Sequence, residues 1–342
     1  MSMALSVGQP TMVRRRPGFE GSNICTWIGF KHVMYLVEEA VLDHLRQNGI
    51  VPRELFERDG VAVDIVDSSV RILHALHMDD EVRIEVSPVS SRDASELAYA
   101  VQMFVERDHQ EVKSLTGRVT VVARRAAGAS DDSNAAPQCF ADASSLPPPS
   151  LSAAGDSGRG VAGADDELIR EVVPQTANAF VWKWHVPYFY CHFTERMQHS
   201  GYLRLLEEVV DLFLADRGIS IRTMLQTRQW IPVVPSVGVE ILADALMEEP
   251  IYTVYTVEHI YKDVTYTATM DCYVVRDGGL VHTATGRITH GYAAILNRRD
   301  WSLVNFDQAT IKALRSQRSW SRPGRRGSIS RSAAPTRGWP RG

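Results

Sequence analysis

The residues best suited to chemistry crowd into one stretch, His192 to Glu208. It contains Phe193-Thr194-Glu195, then Gln198-His199-Ser200-Gly201-Tyr202, then Glu207-Glu208. Glu195 lies between an aromatic segment and an apolar helical one. Partial burial there would raise its pKa and suit it to the work of a general base or nucleophile. Paired with Arg196 on the surface, or sitting near a helix start, it would only be a solvated acid. Histidine can give or take a proton under physiological conditions, so His199 could donate to a developing oxyanion or orient a substrate; a capping or core-edge histidine is the alternative. Gln198 could donate to an oxyanion or be a solvated loop residue. Tyr202 reads as core, with its hydroxyl at the rim of a pocket. Glu207 is the second candidate acid, although helix acids are most often solvated or paired with arginine.

Other chemistries fit poorly. His192 and His199 are seven apart across a strand-to-helix junction, whereas a metal-binding HExxH places two histidines four apart on one helix face. No metal and no cofactor is expected. Ser157 lies in Gly155-Asp156-Ser157-Gly158, but without the strand–turn–helix context that a nucleophilic serine elbow requires.

The elements that must position these groups come from a duplication. Residues 11–125 and 180–294 align without a gap at an offset of 169. Glu38-Glu39 falls on Glu207-Glu208, Gly49-Ile50 on Gly218-Ile219, Arg107-Asp108 on Arg276-Asp277, and Thr116-Gly117-Arg118 on Thr285-Gly286-Arg287. One offset over that length means two copies of one fold. Each copy opens with a β-like stretch, clearest over 180–193. One helix follows, with Tyr202, Leu205, Leu206, Val209, Val210, Phe213 and Leu214 on its apolar face and Gly218 just past its end. Alternating strands come next, such as Val82, Ile84 and Val86, a run that Pro88 should end. Asp277-Gly278-Gly279 marks a hairpin. The fold class is α+β: in each copy, a long central helix wrapped by an antiparallel sheet.

His199-Ser200-Gly201-Tyr202-Leu203-Arg204-Leu205-Leu206-Glu207-Glu208 resembles the HxxYLxxxEE segment that opens the central helix of hotdog-fold acyl thioesterases of the 4-hydroxybenzoyl-CoA type. Covering both copies, the resemblance implies a double hotdog like that of acyl-carrier-protein thioesterases, and Phe193-Thr194-Glu195 is similar to the thioesterases of enediyne polyketide pathways. It implies hydrolysis of an acyl or polyketide thioester of coenzyme A or of a phosphopantetheinyl carrier protein. Dehydratases and acyltransferases share the scaffold, and a non-catalytic acyl-binding scaffold is a further alternative. In the family a carboxylate at the junction of strand and helix attacks or activates water, and amides of the helix start hold the oxyanion. That implies Glu195 as the catalytic acid, with His199 and Glu207 in support and Gln198, Ser200, Gly201 and Tyr202 against the substrate. At offset 169, Glu195 becomes Thr26, Gln198 becomes Gly29, His199 becomes Phe30 and Tyr202 becomes Val33. The expected arrangement is therefore a structural first hotdog (11–125) paired within the chain to a catalytic second one (180–297), with further dimerisation open; a first copy that keeps a different site, for instance through Lys31 and His32, is the alternative.

Between the copies, residues 126–168 are rich in Ala, Gly, Ser, Asp and Pro and read as a flexible linker. Residues 315–342 hold eight arginines and no acid, within a chain of net charge −4, and read as a disordered basic tail. Charged residues make up 23% and no apolar run approaches the roughly 18 residues of a membrane helix, so neither nucleic acid nor a bilayer is an expected partner. The basic triplet Arg14-Arg15-Arg16 has no apolar stretch after it, and the four cysteines lack metal-ligand spacing. A reduced, cytoplasmic location is expected.

Overall fold

The offset of 169 recurs in the element boundaries. A computed structural model describes residues 8–91, 93, 95–125, 151–152, 164–173, 178–297 and 300–316. The first copy comprises β1 (Thr11–Arg15), α1 (Phe30–Gln47), α2 (Pro52–Asp59), β2 (Val61–Ile72), β3 (Val82–Val89), β4 (Glu96–Arg107) and β5 (Gln110–Arg125). After β6 (Leu151–Ser152) and α3 (Ala164–Val172), the second comprises β7 (Ala179–His185), α4 (His199–Asp216), α5 (Ile221–Arg228), β8 (Trp230–Ile241), β9 (Pro250–Tyr261), β10 (Thr265–Arg276) and β11 (Gly279–Ile295). Strand β12 (Trp301–Leu303) and α6 (Gln308–Arg315) close the described chain. Shifting α1, α2, β2 and β4 by 169 reproduces the bounds of α4, α5, β8 and β10 residue for residue.

The twelve strands form one antiparallel sheet, with main order β1-β3-β4-β5-β2-β8-β11-β10-β9-β7. The copies join where β2 meets β8, from Asp67 opposite Glu240 to Arg71 opposite Ser236. Gly238 makes this seam close: a Cβ there would stand 2.7 Å from the Ser68 carbonyl oxygen. Helices α1 and α4 pack on each other. Helix α1 buries Val33, Met34, Val37, Ala40, Val41 and Leu45, while α4 buries Tyr202, Leu206, Val209, Val210 and Phe213, in one apolar core that crosses the seam. Both helices end before a left-handed glycine, Gly49 at φ 84° and Gly218 at φ 74°, a conformation that side chains with a Cβ rarely adopt.

Some local expectations fail for identifiable reasons. The opening strand of the second copy stops at His185, because Pro187 precedes a 3-10 turn over Tyr188–Tyr190. Pro88 does not end β3: it pairs with Tyr99 of β4, beyond the stretch covered by β1 (Thr11–Arg15 opposite Val86–Val82), where an edge tolerates a missing N–H. The expected linker is shorter than 126–168 at its far end. Asp165, Asp166 and Glu167 favour the positive end of α3, and Ile169 packs against Tyr252 and Leu280. Residues 126–150, 153–163 and 317–342 lie outside the described residues, and with them most of the linker and tail expectations.

Candidate active site

Helix α4 begins at His199 with a bare end. Gln198 takes extended backbone angles (φ −84°, ψ 162°) and its side chain does not cap the helix. Its carbonyl accepts from the amides of Gly201 and Tyr202, while those of His199 and Ser200 have no acceptor among the described residues. Such free amides at the positive end of an 18-residue helix favour a negative oxygen. The preceding turn presses against this first helical turn: a Cβ on Gly201 would lie 2.8 Å from the Tyr190 carbonyl oxygen.

The His199 ring points across the seam into the first copy. Its Nε2 is 2.6 Å from Ser68 Oγ on β2, and its Nδ1 is 3.4 Å from Glu38 Oε2 on α1. With the ring neutral and its proton on Nδ1, as an accepting carboxylate favours, Nδ1–H donates to Glu38 and Nε2 accepts the Ser68 hydroxyl. Ser68 and His199 are 1% and 4% exposed. The Glu38 side chain, 24% exposed, links the buried pair to the surface.

Below the helix start lies a second inter-copy cluster. Arg196 donates to Asp64 at 2.9 Å, Arg124 donates to Asp64 at 3.3 Å, and Arg124 donates to both oxygens of Asp244 at 2.6 Å. Asp64 and Arg124 are buried, so each charge depends on the others for compensation. At offset 169 their counterparts are apolar: Trp27 for Arg196, Val233 for Asp64, Ala293 for Arg124 and Ala75 for Asp244. Trp27 and Ala293 are buried there with Ile231, and Val233 packs against them. Likewise His199 corresponds to Phe30 and Ser68 to Val237. Glu38 corresponds to Glu207, which pairs with Lys31 at 2.6 Å. The helix start of α4 has polar residues at these positions, and that of α1 has apolar ones apart from the Lys31–Glu207 pair.

No family model matches the sequence, and neither does any curated protein. Solved structures do match the fold. A 12:0-ACP thioesterase from Umbellularia californica superposes with TM-score 0.54 at 11% identity, covering 87% of this chain and 98% of that one. A provisionally assigned oleoyl thioesterase from Lactobacillus plantarum gives 0.53 at 12% identity, covering 83% and 96%. An acyl-ACP thioesterase from Bacteroides thetaiotaomicron gives 0.50 at 8% identity, covering 82% and 97%. The chain has the hotdog fold of these structures.

In this hotdog chain the residues singled out by sequence are not all brought together. Glu195 is exposed; its backbone carbonyl accepts from Met247 N–H, and its side chain has no ionic or hydrogen-bonding partner among the described residues. Gln198 donates sideways to Thr194 Oγ1 at 2.6 Å. Ser200 is buried and hydrogen-bonded to His192 Nε2, so His192 and His199 serve different partners. Tyr202 is fully buried, in the core rather than at a rim. Glu207 belongs to the equivalent helix start through Lys31, and Glu208 accepts from Tyr190 at 3.4 Å. Of the expected set, His199 alone has its ring held by polar side chains across the seam, at a helix start whose first amides lack acceptors among the described residues. Glu38, Ser68, Asp64 and Arg124 were missed, and all four lie in the copy expected to be structural. No described helix is long and apolar enough to cross a membrane.

One acid on α4 has a measurable consequence. Asp211 is exposed at the surface of α4, yet partial desolvation by the surrounding protein, and then the carboxylates of Glu207 and Glu208 one turn earlier, push it up to about 6, a shift that solvent screening makes small in free energy. An acid whose pKa is raised on folding holds its proton in the native state while the unfolded chain releases it. It therefore costs stability as pH rises from about 4 through about 6. Asp211→Asn should raise the melting temperature at pH 8 and bring no gain at pH 4, as thermal unfolding followed at both pH values would show.

Proposed function

We propose that this protein is a double-hotdog acyl-thioester hydrolase with one active site, built at the seam between its copies. The observation that carries the reading is the His199 ring held between Glu38 and Ser68 at the start of α4. The thioester carbonyl oxygen would lie against the His199 and Ser200 N–H groups, where negative charge develops in the transition state. His199 Nε2 would take the proton of the attacking hydroxyl and deliver it to the departing thiolate. Glu38 would hold the tautomer and stabilise the transient imidazolium. The acyl chain would run between α4 and its sheet, beside Phe213, Tyr255, Tyr266 and Tyr292, all buried. The first copy has Val86, Leu97 and Ala123 where these three tyrosines stand, so this tyrosine cluster belongs to the second copy alone.

The acyl carrier would be coenzyme A or the phosphopantetheine arm of a carrier protein, in keeping with the acyl-ACP thioesterases of the same fold. Cys25, Cys191 and Cys272 are free thiols, which suits a reducing, cytoplasmic compartment. The test is release of free thiol from a panel of fatty acyl and ketoacyl thioesters on both carriers, without an added acceptor. Glu38→Gln should lower kcat/KM on the order of 100-fold, because an amide no longer enforces the tautomer. Glu195→Gln should leave it within about three-fold, as befits an exposed group outside the site. The reverse pattern would return the role of base to Glu195. Acyl transfer or dehydration without thiol release would move the protein to another reaction of the same scaffold.

A further inference from the structure

We infer that Ser68 is the nucleophile, and that hydrolysis passes through an acyl ester on its hydroxyl. This rests on the reading above as a thioester-cleaving enzyme. Three observations carry it. First, the geometry is that of a nucleophile, its base and the base's orienter: Ser68 Oγ to His199 Nε2 at 2.6 Å, and His199 Nδ1 to Glu38 at 3.4 Å. Second, serine and histidine occur together and vanish together. The equivalent helix start has Phe30 for His199 and Val237 for Ser68, while the carboxylate persists as Glu207 and is taken by Lys31. The hydroxyl and the imidazole that would activate it are thus kept or lost as one hydrogen-bonded unit. Third, Ser68 is rigidly placed. Its strand is paired on both sides, opposite Val119 of β5 and Val239 of β8, and Gly238 lets β8 close against the Ser68 carbonyl.

The step balances without any co-reactant beyond water. The Ser68 hydroxyl gives its proton to His199 Nε2 as Oγ attacks the thioester carbon. The carbonyl oxygen becomes an oxyanion against the His199 and Ser200 amides. Its collapse breaks the carbon–sulfur bond, and the leaving thiolate takes the proton from His199. The acyl group is now an ester on Ser68. Water gives a proton to the freed Nε2 and attacks the ester carbon. The ester bond breaks, Ser68 Oγ recovers the proton from His199, and the carboxylic acid leaves.

The experiment mixes the full chain with an acyl-CoA that it hydrolyses, quenches in acid across a time course, and digests with trypsin. Ser68 lies in peptide 59–71, between Arg58 and Arg71, and fragmentation separates it from Ser69. The expected result is the acyl mass on Ser68, in the parent or in Ser68→Cys, where the ester becomes a thioester on the cysteine. Ser68→Ala should lose turnover on the order of 100-fold or more while keeping its circular dichroism and melting curve. Turnover of Ser68→Ala within about five-fold of the parent would overturn the inference. So would loss of turnover in Ser68→Ala with no acyl mass in either the parent or Ser68→Cys, which would make Ser68 a group that positions water. No thiol release by the parent from any acyl thioester would instead overturn the hydrolase reading beneath it.

Discussion

His199→Phe should abolish thioester cleavage, with a loss on the order of 1,000-fold, and leave the fold in place. The fold should survive because the equivalent helix start already carries phenylalanine there, with Phe30 buried at the head of α1. The substitution removes the base and strands its partners. Ser68 loses its only described side-chain partner at a buried position, which costs about 1–3 kcal/mol. That cost gives the experiment an internal control. His199→Phe combined with Ser68→Val reproduces the Phe30 and Val237 pair of the equivalent helix start, so the double variant should regain stability over the single one and remain inactive. Thermal melting and thiol release, measured on parent, single and double variants, separate catalysis from packing. Activity of His199→Phe within ten-fold of the parent would place the base elsewhere on the seam.

The architecture was legible because duplication writes it twice. Gly49 and Gly218 end equivalent helices, and the apolar faces of α1 and α4 follow the same spacing, so each copy supports the reading of the other. The site was only half legible. His199 stands in a recognisable helix-opening segment, but its partners Glu38 and Ser68 are distant in sequence and carry no local pattern. Ser68 lies in Asp67-Ser68-Ser69, which reads as an ordinary strand. Glu195 drew attention because it is the acid next to the helix, yet the turn through Thr194 leaves its side chain in solvent. One available signal was the reverse comparison of the copies. Losses in the first copy, such as Phe30 for His199, point to polar positions in the second. Losses in the second copy, namely Val233 for Asp64, Val237 for Ser68 and Ala293 for Arg124, point just as clearly to polar positions in the first. Taken together, the two sets point to the seam between the halves, where the proposed site draws residues from both.

That shared site makes the behaviour of separated halves informative. Residues 178–316 alone expose the β8 edge and the α4 face that α1 covers, and unpaired edges promote association. The fragment should self-associate. If two copies meet as the two halves do, His199 of one copy faces Glu207 and Val237 of the other, because these stand where Glu38 and Ser68 stand in the intact chain. Arg196 would then face Val233 and Ala293 in place of Asp64 and Arg124, a largely covered cation without its carboxylate. Removing one member of such a pair typically costs about 3–5 kcal/mol, so the homodimer should be weak. It should also be inactive, because it keeps a histidine and a carboxylate but lacks the serine. Adding residues 8–125 in trans restores Glu38, Ser68, Asp64 and Arg124 together. A soluble one-to-one complex should form, with activity at least about 100-fold above either half. Size-exclusion chromatography with light scattering reads the assembly, and thiol release reads the chemistry. A homodimer of the second half with substantial activity would show that histidine, carboxylate and water suffice, whereas an active monomer would remove the first copy from the reaction altogether.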